Sequence, residues 1–207
     1  MKLRAVQLTL GATWLRVFMI ICGVIVAAGG VAQVYKGAKT MRGADRAELA
    51  QVLTESDAAL AEGQRLLNEA TPAFQRLLAE VDKMGLGLYR TQQKAEAMKT
   101  SELIGRSAAQ FRLAEQKIEE AKKLNKNSKL KPYLDAKGLS YDRVALSLAV
   151  NQEIIAMTLD ESITELEVLL PKLQEAAARR DALDKEASVA SDESKQLGEQ
   201  IQSSAKK

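Results

Sequence analysis

The hydrophobic positions of this chain follow two patterns, an unbroken apolar run near the N-terminus and a periodic region that occupies the rest. The run, residues 17–35, contains no charged residue. Its 19 residues in helical form would span about 28 Å, close to the roughly 30 Å hydrocarbon core of a bilayer. The pattern predicts a transmembrane helix that acts as a signal anchor. A short basic-apolar segment, 1–16, precedes this helix, and a juxtamembrane link, 36–43, follows it.

The residues that flank the run support this prediction. Trp14 and Tyr35 are spaced as interfacial aromatic anchors on the two sides of a membrane, and Arg16 and Lys36 place charges near the headgroups. Two alternatives stay open: residues 1–32 would be removed if the run were a cleaved secretory signal, and the run would be a core helix in a soluble protein. The lengths of the run and of the segment before it favour the uncleaved anchor.

Beyond the link, apolar residues recur in alternating steps of four and three from Leu49 to Leu88. This heptad pattern predicts a long amphipathic helix, 44–86, with a seam like that of a coiled coil. Gln64 lies off the seam and is expected to face solvent. Pro72 either kinks this helix or ends it, and the unbroken heptad phase favours a kink. The seam residues that we assign to helix–helix interaction are Leu53, Leu60, Leu67, Phe74, Leu77 and Val81.

Gly85 and Gly87 form the strongest break in the first half of the periodic region. A turn at these glycines sends a second helix, 90–124, back towards the membrane. The lysine-rich loop 122–138 would then lie near the membrane surface. If the first helix instead continued to Leu124, the same lysines would lie at the far tip of the bundle. We favour the turn.

The second half of the periodic region predicts a third long helix, 140–187. Large aliphatic residues occupy more than one of its faces, so we expect it at the centre of the bundle. Pro171 either kinks this helix or ends it. Residues 189–207 are expected to form a short C-terminal helix and a tail. The predicted fold class is therefore all-α, a transmembrane helix followed by an elongated antiparallel bundle over residues 44–188.

The charge of the chain is unevenly distributed. Six of its 30 basic residues and none of its 27 acidic residues lie in 1–43, which leaves 24 basic against 27 acidic residues in 44–207. Such a bundle lacks the concentrated basic surface that nucleic-acid binding needs. The lysine-rich loop either contacts anionic lipid or stays solvated. The lysines that we assign to lipid contact are Lys122, Lys123, Lys126, Lys129 and Lys131.

The composition leaves little catalytic chemistry. Histidine is absent and the single cysteine, Cys22, lies in the apolar run, which excludes histidine-dependent catalysis and His/Cys metal sites. The carboxylates fall on predicted helix surfaces among lysines and arginines. Asn151, Thr158 and Ser162 would either line a small-molecule pocket or set the register of the helices. We therefore predict no catalytic residues, no metal and no cofactor.

These patterns together predict a non-enzymatic, single-pass membrane protein that acts as a structural or interaction subunit of a membrane or envelope complex. The expected location is a bacterial-type inner membrane, with the bundle on the extracytoplasmic side. The expected partners are the lipid bilayer and either a helical protein or a second copy of the chain. The alternative function is an extracytoplasmic sensory bundle that binds a small ligand.

Overall fold

The computed structural model describes residues 43–205, and all of the regular structure in that range is α-helical. Three helices follow one another: α1, Gly43–Leu124; α2, Lys131–Leu159; and α3, Leu166–Ala205. The predicted transmembrane helix and its flanking residues lie outside the described range. None of the three described helices has a stretch apolar enough to cross a bilayer.

Helix α1 reverses direction at Gly85, whose φ of 74° and ψ of 161° interrupt the helix. A φ in this region favours glycine, because it has no Cβ. The two halves, α1N (43–84) and α1C (86–124), then pack antiparallel: Ser107 Oγ donates to the carbonyl of Gly63 at 2.7 Å. At Gly63 an added Cβ would lie 3.1 Å from the ring of Phe111, so the absence of a side chain permits the close approach. The chain thus turns where the sequence favoured a turn.

The heptad seam of α1N is packed inside the chain's own bundle. Its residues join one cluster with side chains from α1C, α2 and α3. The seam residues Leu53, Leu60, Leu67, Phe74, Leu77 and Val81 are all less than 5% exposed. Gln64, expected to face solvent, is only 7% exposed, so the buried arc of α1N is wider than the seam. The seam therefore serves contacts within one chain and offers no free face to a partner.

Helix α2 packs closely against both α1 and α3, whereas α1 and α3 approach each other closely at few described positions. This central place explains why α2 buries side chains on more than one face, including Tyr141, Leu148 and Ile155. Pro72 and Pro171 both lie inside helices, in α1 and α3, and end neither.

The predicted third helix, 140–187, is wrong in its bounds, because its two halves belong to separate helices. α2 begins nine residues earlier, at Lys131, and Pro132 occupies its first turn, where a missing N–H removes no helical hydrogen bond. α2 ends before the connection 160–165. There Asp160 Oδ1 accepts hydrogen bonds from Ser162 N at 2.9 Å and Ser162 Oγ at 2.7 Å, which compete with helix continuation.

Two smaller bounds also change because α2 and α3 extend further than predicted. The lysine-rich loop shrinks from 122–138 to the connection 125–130, closed by Asn125 Oδ1, which accepts from Asn127 N at 2.9 Å. The predicted short C-terminal helix, 189–207, is the continuation of α3, which runs without interruption to Ala205.

Candidate functional site

The antiparallel path gives the bundle two distinct ends. The basal end contains Gly43, the connection 125–130 and the last turns of α3. The apical end contains the turn at Gly85 and the connection 160–165. Contacts near each end fix this arrangement: Lys122 Nζ lies 3.0 Å from Asp135 Oδ1 at the basal end, where α1 and α2 meet.

Four of the five lysines predicted to contact lipid are exposed at the basal end. They are Lys123, Lys126, Lys129 and Lys131. The side chain of Lys122 is less exposed, at 22%, and it forms ion pairs with Glu119 and Asp135. Lys122 therefore joins α1C to α2, and the other four provide the positive charge that faces outward.

A buried ionic cluster lies just inside the basal end. Lys137 of α2 is 2% exposed, and its Nζ lies 3.6 Å from Asp57 Oδ1 of α1N. The same ammonium donates to Tyr133 Oη at 3.3 Å and lies 5.7 Å from the ring centres of both Tyr133 and Tyr141. One carboxylate and two aromatic rings thus surround a single buried cation.

Burial controls the ionisation of this cluster. Loss of solvent lowers the pKa of Lys137 to about 8, although Asp57 favours the charged ammonium. Burial also raises the pKa of Asp57, against the effect of Lys137, and raises the pKa of both tyrosines. With a side chain closed off from solvent, Lys137 is placed to join α2 to α1N and not to meet a substrate.

A second polar set lies between α2 and α3. Arg180 is 1% exposed, and its Nη2 donates to Asp181 Oδ1 at 2.9 Å. Asp184, whose pKa is raised by burial, accepts from Ser147 Oγ at 2.6 Å. Ser140 Oγ donates to the carbonyl of Ala187 at 3.2 Å. Polar groups therefore occupy a seam that apolar side chains fill elsewhere in the bundle.

Arg90 closes the apical end. Its guanidinium donates to the carbonyl of Thr158 at 3.0 Å and to that of Ile163 at 2.7 Å, which holds the connection between α2 and α3 against α1C.

The three polar residues predicted as a possible pocket lining do not lie together. Asn151 and Thr158 are buried, whereas Ser162 is exposed and bonds to Asp160.

Several surface carboxylates form ion pairs with lysines. Glu120 lies 2.9 Å from Lys117, and Glu161 lies 3.5 Å from Lys94. In the described part of the chain, no group of three or more acidic or cysteine side chains is placed to hold a metal ion. Comparison with known protein families, curated proteins and solved structures found no match.

The sequence pattern did not predict the burial of Lys137, Arg180 or Asp184. Lys137 did carry a signal, because Tyr133 and Tyr141 lie four residues before and after it and so share its helical face. Arg180 and Asp184 share a face in the same way. Only the packing of α3 on α2 distinguishes this pair from an exposed ion pair.

Proposed function

We propose that this chain is a non-enzymatic, membrane-anchored interaction subunit. The apolar run 17–35 spans an inner membrane, and the bundle stands on the extracytoplasmic side with its basal end towards the lipid. The bundle then associates with other helices of a membrane or envelope complex.

The observation that carries this proposal is the position of Gly43. The first described residue of α1 lies at the basal end, the end that also presents Lys123, Lys126, Lys129 and Lys131. Only the seven residues 36–42 separate Gly43 from the apolar run. Even fully extended, seven residues reach about 25 Å. An anchor in the run would therefore hold the basal lysines close to the headgroups.

The charge of the basal end suits that position. Each lysine near an anionic surface contributes about 1 kcal/mol of attraction, and this contribution falls as salt screens it. Lys36, Lys39 and Arg42 of the link add to the same region of the chain. The basal end and the link would together favour an upright bundle on an anionic membrane.

The proposal is tested by expressing the full chain in a bacterial inner membrane and washing the membranes with alkaline carbonate. We expect the chain to remain in the membrane, and protease added to sealed spheroplasts to leave a protected fragment that ends near Gly43. A control with Ile21→Lys and Ile25→Lys places two charges in the run and should be released by carbonate. Release of the unaltered chain would refute the anchor, and full protection from protease would refute the extracytoplasmic location.

A further inference from the structure

Helix α3 contacts the bundle through a face whose fully buried apolar residues are mostly small. Its fully buried apolar residues are one leucine and three alanines: Leu169, Ala176, Ala187 and Ala190. Its larger apolar side chains, such as Leu173 and Leu197, are only partly buried. α1N, in contrast, buries a continuous leucine-rich seam. Because hydrophobic stabilisation scales with the apolar area removed from water, fewer fully buried large apolar side chains hold α3 than hold α1N.

Polar contacts determine where α3 sits. Ser147 bonds to Asp184 inside the seam, and two ion pairs lie at its rim. Arg143 Nε of α2 lies 2.7 Å from Glu186, and Glu153 of α2 lies 2.6 Å from Arg179. The positive and negative groups of α2 thus face their opposites on α3, which admits one antiparallel register. Such contacts contribute more to specificity than to free energy.

The connection between α2 and α3 is suited to opening. Residues 160–165 are exposed apart from Ile163, and side chains attach the connection to α1C: Arg90 bonds to the carbonyl of Ile163, and the exposed Glu161 pairs with Lys94. Opening this connection would separate α3 from α2 while leaving the leucine-rich core of α1 and α2 in place.

We propose that α3 is exchanged between two copies of this chain, so that the α2 face it covers accepts α3 of a second copy. The second copy supplies the same serine–aspartate bond and the same two ion pairs, and the exchange alters only the connection 160–165. The inference rests on the proposed interaction role and names its helical partner. Attachment to a membrane would promote the exchange, because it raises the effective concentration of copies.

Two single-cysteine versions of the full chain test the exchange. Both carry Cys22→Ser; one adds Glu153→Cys and the other adds Arg179→Cys, two exposed positions that face each other across α2 and α3. The two chains are mixed in detergent and in vesicles and treated with a short bismaleimide. As a control, the Glu153→Cys chain is mixed with an Arg65→Cys chain, whose cysteine replaces an exposed arginine that pairs with Glu62 and Glu69 of α1N.

Exchange predicts a covalent heterodimer of the Glu153→Cys and Arg179→Cys chains, several-fold above the control mixture and increasing with protein concentration. A yield no higher than the control, with a Glu153→Cys/Arg179→Cys double variant linking only within one chain at every concentration, would overturn the exchange. The detergent arm separates the two proposals. If the heterodimer forms in detergent and carbonate releases the chain from membranes, exchange is upheld and the membrane role is refuted.

Discussion

The buried amine of Lys137 makes the stability of the bundle depend on alkaline pH. In the folded chain the pKa of Lys137 is about 8, against 10.5 for an exposed lysine. Below pH 8 both states hold the proton, and the folded state bears the cost of burying the charge. Between pH 8 and about 10 the unfolded state still holds the proton while the folded state has released it. The free energy of unfolding therefore rises with pH in this window.

The size of the rise follows from the two pKa values. Complete loss of the proton from folded Lys137 would raise the free energy of unfolding by about 3 kcal/mol. The steepest slope would be about 1.4 kcal/mol per pH unit. The raised pKa of Tyr133 and Tyr141 acts in the opposite direction, because unfolding then exposes phenols that ionise near pH 10. Lys117 and Lys122 have raised pKa values, so their contributions are lost only above about pH 10.5. From pH 8 to 10 the buried lysine contributes about 2 kcal/mol, and the two tyrosines together with Tyr89, whose pKa is also raised by burial, offset about 1 kcal/mol of it, so the expected net rise is about 1 kcal/mol.

Urea unfolding of the full chain in a non-ionic detergent, followed by circular dichroism at a series of pH values, measures this rise. Replacing the amine with an apolar side chain of similar length, Lys137→Met, should abolish the rise. The matched control, Lys185→Met at an exposed position of α3, should retain it. A profile that is flat or falls from pH 8 to 10 in the unaltered chain, or a rise that persists in Lys137→Met, would refute the assignment of a buried, charged lysine.

Two further predictions concern the turns and close contacts of the bundle. Gly63→Val should lower the free energy of unfolding by about 1–3 kcal/mol, because the new side chain would press on the ring of Phe111. Its control, Gly87→Ala, has no neighbour within 4 Å and should raise the free energy of unfolding by up to about 1 kcal/mol. Equal effects in urea unfolding would contradict the hairpin packing. Arg90→Ala removes two charged hydrogen bonds and should cost about 2 kcal/mol while accelerating amide hydrogen exchange in residues 160–165. Unchanged exchange there would show that Arg90 does not hold the connection.

Features that depend on residues close together in the sequence were predictable. The heptads from Leu49 to Leu88 indicated a helix with a buried seam, and Gly85 indicated the reversal, since both signals depend only on neighbouring residues. The wide apolar surface of residues 144–157 indicated a central helix for the same reason, and this segment lies in α2, between α1 and α3.

Features that depend on competing local signals, or on distant segments, were not predictable. Pro132 falls within the predicted loop 122–138 yet occupies the first turn of α2, and the side chain of Asp160 ends α2 within the predicted helix 140–187. The burial of Lys137 depends on Asp57, which is 80 residues earlier in the chain. The sequence of α3 alone likewise does not show that its polar face packs against the serines of α2.

The orientation of the bundle on a membrane tests the central claim most directly. In a Cys22→Ser chain, a fluorophore is placed at Ser128→Cys in the basal connection or at Gly87→Cys near the apical turn. Energy transfer to acceptors on lipid headgroups is then measured in neutral and anionic vesicles. The two positions differ by the length of α1N, whose 42 residues span about 63 Å. Strong transfer from the basal label only, increased by anionic lipid and reduced by salt, is the predicted result. Equal transfer from both labels, or stronger transfer from the apical label, would contradict it.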